Sequence, residues 1–287
     1  MKLYNTKNGI LLEYNTEMFV MDEPWDVLIN SNDLEGYLLS KIKNSRRINP
    51  EDQSKWLNDN SMLPPIGQQE VWAAGVTYLK SRDARMEESQ DSGAASLYDL
   101  VYDAKRPELF FKATASRVAG HMQQVYIRKD SVWNVPEPEL TLFINSNGII
   151  QGYTVGNDMS SRSIEGENAL YLPQAKIYEK SAALGPCLFV TSNPIGGETV
   201  IKMVIKRDGR TVYEDSTTVS RMKRSFRELT TYLFSECDFA HGCFLMTGTC
   251  LVPKSDFTLH EGDVVGITID SIGTLINRVG FNPKYKL

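Results

Sequence analysis

Cysteine and histidine are scarce, with four of the first and three of the second in 287 residues. Cys187, Cys237, Cys243 and Cys250 form no C-x-x-C pair and show no zinc-finger spacing with histidine. Neither a zinc site nor a disulfide framework is therefore expected, and reduced, mostly buried thiols are. Long apolar runs are missing too. The start, MKLYNTKNGILLEYN, has no uninterrupted apolar core and no small-residue cleavage pattern, and no later segment is long enough to cross a bilayer. A cytoplasmic protein without a membrane partner is expected. A basic stripe is also lacking. The formal net charge is -5 and the lysines and arginines are dispersed, so no nucleic-acid partner is expected. The densest basic cluster, Arg221, Lys223, Arg224 and Arg227, reads as the solvated face of a helix.

What is present describes a globular chain, with 41% hydrophobic and 23% charged residues and enough length to bury a large core. No internal repeat or low-complexity tract occurs. Short mixed segments end at Leu63-Pro64-Pro65-Ile66-Gly67, which reads as a linker or hinge. That divides the chain into a small N-terminal domain, 1–66, and a larger domain, 67–287. An apolar run from Val71 to Val76 precedes a polar stretch, about 79–107, that reads either as a lid or as a surface excursion. Strand signals dominate from Glu108: Leu140 to Ile144, Ile149 to Val155, Leu188 to Thr191, Val200 to Ile205 and Asp263 to Ile269. Asp208-Gly209 reads as a hairpin turn leading to Thr211-Val212-Tyr213. Helical periodicity is convincing only around Phe226 to Phe234. The fold class is therefore mostly β with some α.

Glu137 and Glu139 flank Pro138 at the start of a strand. Side chains two apart in a strand share a face, so both carboxylates point the same way. The strand runs into Ser146-Asn147-Gly148, where Asn-Gly signals a tight two-residue hairpin. Partners across such a turn have residue numbers of constant sum, here 295, which sets Asp158 opposite Glu137. Opposed Cβ atoms in an antiparallel ladder lie roughly 4.5 to 5.5 Å apart. Three carboxylates crowded this way repel one another and raise at least one pKa unless a cation neutralises them. An all-oxygen set suits a hard ion such as Mg²⁺, Mn²⁺ or Ca²⁺. Glu-x-Glu alone also fits a solvated strand face; the Asp158 registry is what favours the metal.

At these residues the sequence resembles the fumarylacetoacetate hydrolase family. The resemblance is carried by Glu137-Pro138-Glu139-Leu140 and by Gly152-Tyr153-Thr154-Val155-Gly156-Asn157-Asp158-Met159-Ser160-Ser161-Arg162. It continues through Lys176-Ile177-Tyr178-Glu179, Gly185-Pro186, Thr247-Gly248-Thr249, Leu259-His260-Glu261-Gly262-Asp263 and Ile272-Gly273-Thr274-Leu275, covering about 71–280. It implies a mixed β-roll catalytic domain behind a small N-terminal α+β domain, and a homodimer or tetramer. It also implies a divalent ion, usually Mg²⁺, on Glu137, Glu139 and Asp158, with Lys176 and the Thr249 region touching a small 2-oxo acid. Read from the residues alone, Lys176 fits a surface lysine as well as a buried ammonium that stabilises an enolate. Thr247-Gly248-Thr249 fits a structural turn as well as a carboxylate cradle.

Two departures bear on the reaction. The hydrolases of the family carry a histidine and a glutamate where this chain has Ser81 and Ala84, and His121, His241 and His260 all lie elsewhere. His241 and His260 sit in turn-like contexts and read as structural or exposed. The stretch Ser163 to Lys176 and the short Glu139 to Asp158 interval resemble the sugar-acid dehydratase branch, which removes water from 2-keto-3-deoxy-pentonates. That resemblance implies an acid/base at Glu108, for which ordinary exposure is the alternative. Ser81, Arg82, Arg85 and Thr249 are the candidate substrate contacts. The implied activity is a lyase forming 2,5-dioxopentanoate. Hydrolysis or decarboxylation of an acylpyruvate-like compound is the competing enzyme reading, and a non-catalytic metal-binding scaffold the competing class.

Overall fold

A computed structural model describes residues 1–58, 60–78, 100–249 and 251–284. Ser81, Arg82, Arg85 and most of the stretch read as a lid lie outside the described residues, as does Cys250. The larger of two main sheets has eleven strands. Its centre pairs Pro138–Ile144 with Ile150–Asp158 on one side and with Cys243–Met246 on the other. Cys243–Met246 runs parallel to Glu70–Gly75, which pairs with Glu108–Thr114 at the edge. In the other direction Ile150–Asp158 pairs with Ala182–Phe189, and Ala182–Phe189 with Lys2–Thr6. The N-terminal strands Gly9–Tyr14, Glu17–Met21 and Arg47–Ile48 then extend this same sheet. A five-stranded sheet is built on Val200–Arg207, Arg210–Thr218, Val264–Ile269, Gly273–Phe281 and Gln124–Ile127. Parallel and antiparallel pairs occur in both sheets, which makes them mixed.

Apolar alternation explains the layering. Leu140, Leu142, Ile144, Tyr153 and Val155 face Ile201, Met203, Ile205, Val265 and Ile267, forming a core between the sheets. The opposite face of the large sheet carries Val71, Ala73, Ala113, Phe143 and Phe244 and is covered by Trp25, Leu28, Leu34 and Leu38 from helices Trp25–Ile29 and Leu34–Ile42. The second helix was not legible as periodicity in the sequence; Asp33 caps it through Gly36 N–H. Ile66, in the Pro-Pro segment, is buried in the same core. No described helix is long and apolar enough to cross a membrane.

The hairpin that carries the carboxylates reaches its register by a route different from the tight turn expected. The loop is Ser146 to Gly148, closed by Asn145 N–H on Ile149 O at 3.0 Å, and Gly148 adopts a left-handed φ of 74°. That loop sets partners summing to 294, as in Ile144 with Ile150, and one extra residue in the return strand restores 295 from Phe143 with Gly152 onward. The extra residue is Gln151. Its side chain accepts from Leu34 N–H and donates to Asn32 O, so a β-bulge is fixed by the N-terminal segment. At the far end, Asp158 N–H and Glu137 O bond at 2.9 Å, which makes the two residues direct partners as expected.

The basic cluster is corrected. Of its four members only Arg227 lies on the helix Phe226–Leu233. Lys223 binds Asp103 and the Tyr102 carbonyl, and Arg224 is buried on the carbonyls of Val101, Ala104 and Lys105. A contact to chain more than a hundred residues away overrides the local pattern.

Candidate active site

Strand ends converge at one end of the large sheet. Gly75 closes one strand, Met246 closes its parallel neighbour, Glu108 and Pro138 open two antiparallel strands, and Asp158 closes the last. A cleft there is lined by Ala74, Gly75, Val76, Phe110, Glu137, Glu139, Asp158, Arg162, Lys176, Gly248 and Thr249. Alternation puts Glu137 and Glu139 on one face of their strand, and the hairpin register adds Asp158. One oxygen of each lies within 4.8 Å of those of the other two, and all three residues are buried.

Cations surround this triad. Lys176 ends the helix Leu172–Lys176, which Pro173 helps to start, and is fully buried. Its Nζ donates to Glu137 Oε2 at 2.6 Å, Asp158 Oδ2 at 3.2 Å and Ser160 Oγ at 2.6 Å. Arg162 opens a helix capped by Ser161 and donates to Glu137 and, at 3.4 Å, to Glu165. Lys112, also fully buried, pairs with Asp158 Oδ1 at 2.5 Å and donates to Met159 O and Lys176 O. Burial pushes its ammonium pKa down, against the pull of Asp158. Gly248 N–H donates to Glu139 Oε2 at 2.6 Å, while the Thr247 hydroxyl is spent on Leu140 O. Thr249 lines the cleft, and its hydroxyl accepts from Leu251 N–H.

The donor set fits a divalent cation. Four buried carboxylates, Glu137, Glu139, Asp158 and Glu165, face three buried cations, Lys112, Arg162 and Lys176. Desolvation first, then the charges of Asp158 and Glu137, hold the Glu139 carboxyl well above the usual carboxylate range. A doubly charged ion would offset the repulsion among the three crowded carboxylates. All-oxygen donors suit a hard metal.

The site thus brings together Glu137, Glu139, Asp158, Lys176 and Thr249. Glu108 is half-buried at the start of its strand, opposite the cleft-lining Gly75. His241 and His260 are exposed, and no histidine lines the cleft among the described residues. Sequence reasoning missed Lys112 and assigned no task to Arg162 or Ser160. Lys112 sits at a β-bulge, between Phe111 opposite Trp72 and Ala113 opposite Val71, so alternation from Glu108 does not by itself carry it to the triad.

The family described as fumarylacetoacetate (FAA) hydrolase C-terminal matches residues 71–280. A Haloferax volcanii protein named probable 2-keto-3-deoxyxylonate dehydratase is 49% identical over 223 residues, covering 77% of this chain and 75% of that protein. A Saccharolobus solfataricus 2-dehydro-3-deoxy-D-arabinonate dehydratase is 42% identical over 227 residues, 78% of this chain and 76% of that protein. A solved structure of 2-keto-3-deoxy-D-arabinonate dehydratase complexed with magnesium and 2,5-dioxopentanoate matches with a TM-score of 0.81 and 33% identity, covering 99% of this chain and 100% of that one. The match over 71–280, with relatives this similar, establishes that the chain belongs to the fumarylacetoacetate hydrolase family.

Proposed function

We propose that this chain is a divalent-metal-dependent lyase that dehydrates a 2-keto-3-deoxy-pentonate to 2,5-dioxopentanoate. The observation that carries the proposal is the buried Glu137, Glu139 and Asp158 triad with Lys176 on it, in a chain 42% and 49% identical to two pentonate dehydratases. Glu137, Glu139 and Asp158 would hold the ion, Mg²⁺ first among hard cations. When bound, such an ion supplies Lewis acidity toward a 2-oxo acid, making the C3 protons more acidic.

The side chains supply the rest. Lys176 holds a positive charge in a desolvated cleft, where it offsets negative charge developing on the 2-oxo oxygen. Glu108 takes a proton from C3, and the electron pair of that C–H bond becomes the C3–C4 double bond as the C4–O bond breaks. The departing hydroxyl takes up the proton held by Glu108 and leaves as water, which returns Glu108 to its carboxylate. One proton from C5 and the proton of its hydroxyl then move to C3 and C4, which converts the 5-hydroxy enone to 2,5-dioxopentanoate without further loss of atoms. Thr249 is assigned to the substrate, as are Ser81, Arg82 and Arg85, which lie outside the described residues. Residues 67–287 form the catalytic unit of this proposal and 1–66 a smaller N-terminal unit. A cytoplasmic homodimer or tetramer completes it.

Purified protein incubated with Mg²⁺ and 2-keto-3-deoxy-pentonate is expected to release 2,5-dioxopentanoate. Pyruvate release from acylpyruvates without turnover of the pentonate would overturn the proposal in favour of carbon–carbon hydrolysis. Full pentonate turnover by Glu139→Gln would instead remove the triad from the chemistry.

A further inference from the structure

We propose that Gly75 is a positioning residue, whose bare Cα is the notch that admits the Glu108 carboxylate to the cleft. This rests on Glu108 being the acid/base. Gly75 and Glu108 are cross-strand partners. A Cβ on residue 75 would stand 1.9 Å from Glu108 Oε2, 2.5 Å from Cδ and 3.2 Å from Cγ. The carboxylate therefore occupies the space that any other residue at 75 would fill. Gly75 is not in the left-handed region. Its backbone is open to L-residues, so what this position demands is volume rather than conformational freedom.

The notch faces the chemistry. Gly75 lines the cleft together with the triad and Lys176. On the partner strand Glu108 and Phe110 share a face, with Phe110 lining the cleft, and Lys112, at the β-bulge of that strand, is paired with Asp158. The strand runs from a fully buried cation at the triad to a half-buried carboxylate at position 108. The three atoms nearest to a methyl group at 75 all belong to the flexible Glu108 side chain, so the fold can accommodate it while the carboxylate is turned aside.

The test compares Gly75→Ala, Glu108→Gln and the double variant Gly75→Ala with Glu108→Asp, whose shorter side chain restores clearance. Gly75→Ala is expected to lower kcat by about 100-fold, the scale of a displaced acid/base. KM for the pentonate, Mn²⁺ affinity by electron paramagnetic resonance and the melting temperature should stay close to those of the parent. The double variant is expected to exceed Gly75→Ala in kcat. A parental kcat in Gly75→Ala, with Glu108→Gln inactive, would overturn the notch and leave the acid/base assignment standing. Parental activity in Glu108→Gln would overturn both. Lost Mn²⁺ binding in Gly75→Ala would assign Gly75 to the triad instead and also overturn the proposal.

Discussion

Lys112 and Lys176 are both fully buried and both bonded to Asp158, one on each carboxylate oxygen, yet different parts of the molecule hold them. The two remaining bonds of Lys112 go to backbone carbonyls, of Met159 and of Lys176 itself. Lys176 donates to three side chains, those of Glu137, Asp158 and Ser160, and lines the cleft. Carbonyls fixed by the fold cannot follow a ligand, whereas carboxylates can exchange one cation for another. The back of the site is thereby held partly by fixed backbone and its mouth by side chains, with the same residue type in both places.

The comparison can be broken at several points. Lys112→Met should have the largest effect on the fold, because it leaves Asp158 Oδ1 and two carbonyls in the interior without this cation. Loss of one partner of a buried pair costs about 3 to 5 kcal/mol, to be read from urea denaturation. Lys176→Met should lower kcat by about 10² to 10³-fold with a smaller loss of stability, as removal of a preorganised charge-stabilising group does. Equal losses of stability and activity in the two variants would erase the distinction. Asp263→Asn is the control from the other sheet: it weakens the bonds to Arg207 at 2.8 Å and to His260 N–H at 2.9 Å. It should cost about 1 to 3 kcal/mol of stability while kcat stays at the parental value. Lys202→Ala removes an exposed pair with Glu214 and should cost less than about 1 kcal/mol in a thermal melt.

Much of the site was legible because it is local. Glu137 and Glu139 share a strand, and Asp158 lies across one hairpin, so period-two alternation and a constant sum are enough to bring them together. Even there, the sum of 295 arises from a three-residue loop and a bulge at Gln151 rather than from the two-residue turn. Local turn chemistry could not show this, because the bulge is held by Asn32 and Leu34, well over a hundred residues away. The basic cluster failed for the same reason: Lys223 and Arg224 are fixed by carbonyls and a carboxylate of 101–105, which helical periodicity does not register. The turn at Asp208-Gly209 depends on no distant partner and formed as expected, with both residues at positive φ.

The sequence by itself determined the strands, the acidic triad and the kind of ion such oxygens favour, because alternation and ligand chemistry act over a few residues. Only the tertiary structure decided which cations stand on the triad and that Glu108 lies against Gly75. Lys112 reaches Asp158 from an edge strand, Lys176 from a helix end and Arg162 from a helix start, while Glu108 lies over the bare Cα of Gly75. Those placements follow from closing the sheet over long loops, and no pattern within one segment encodes them.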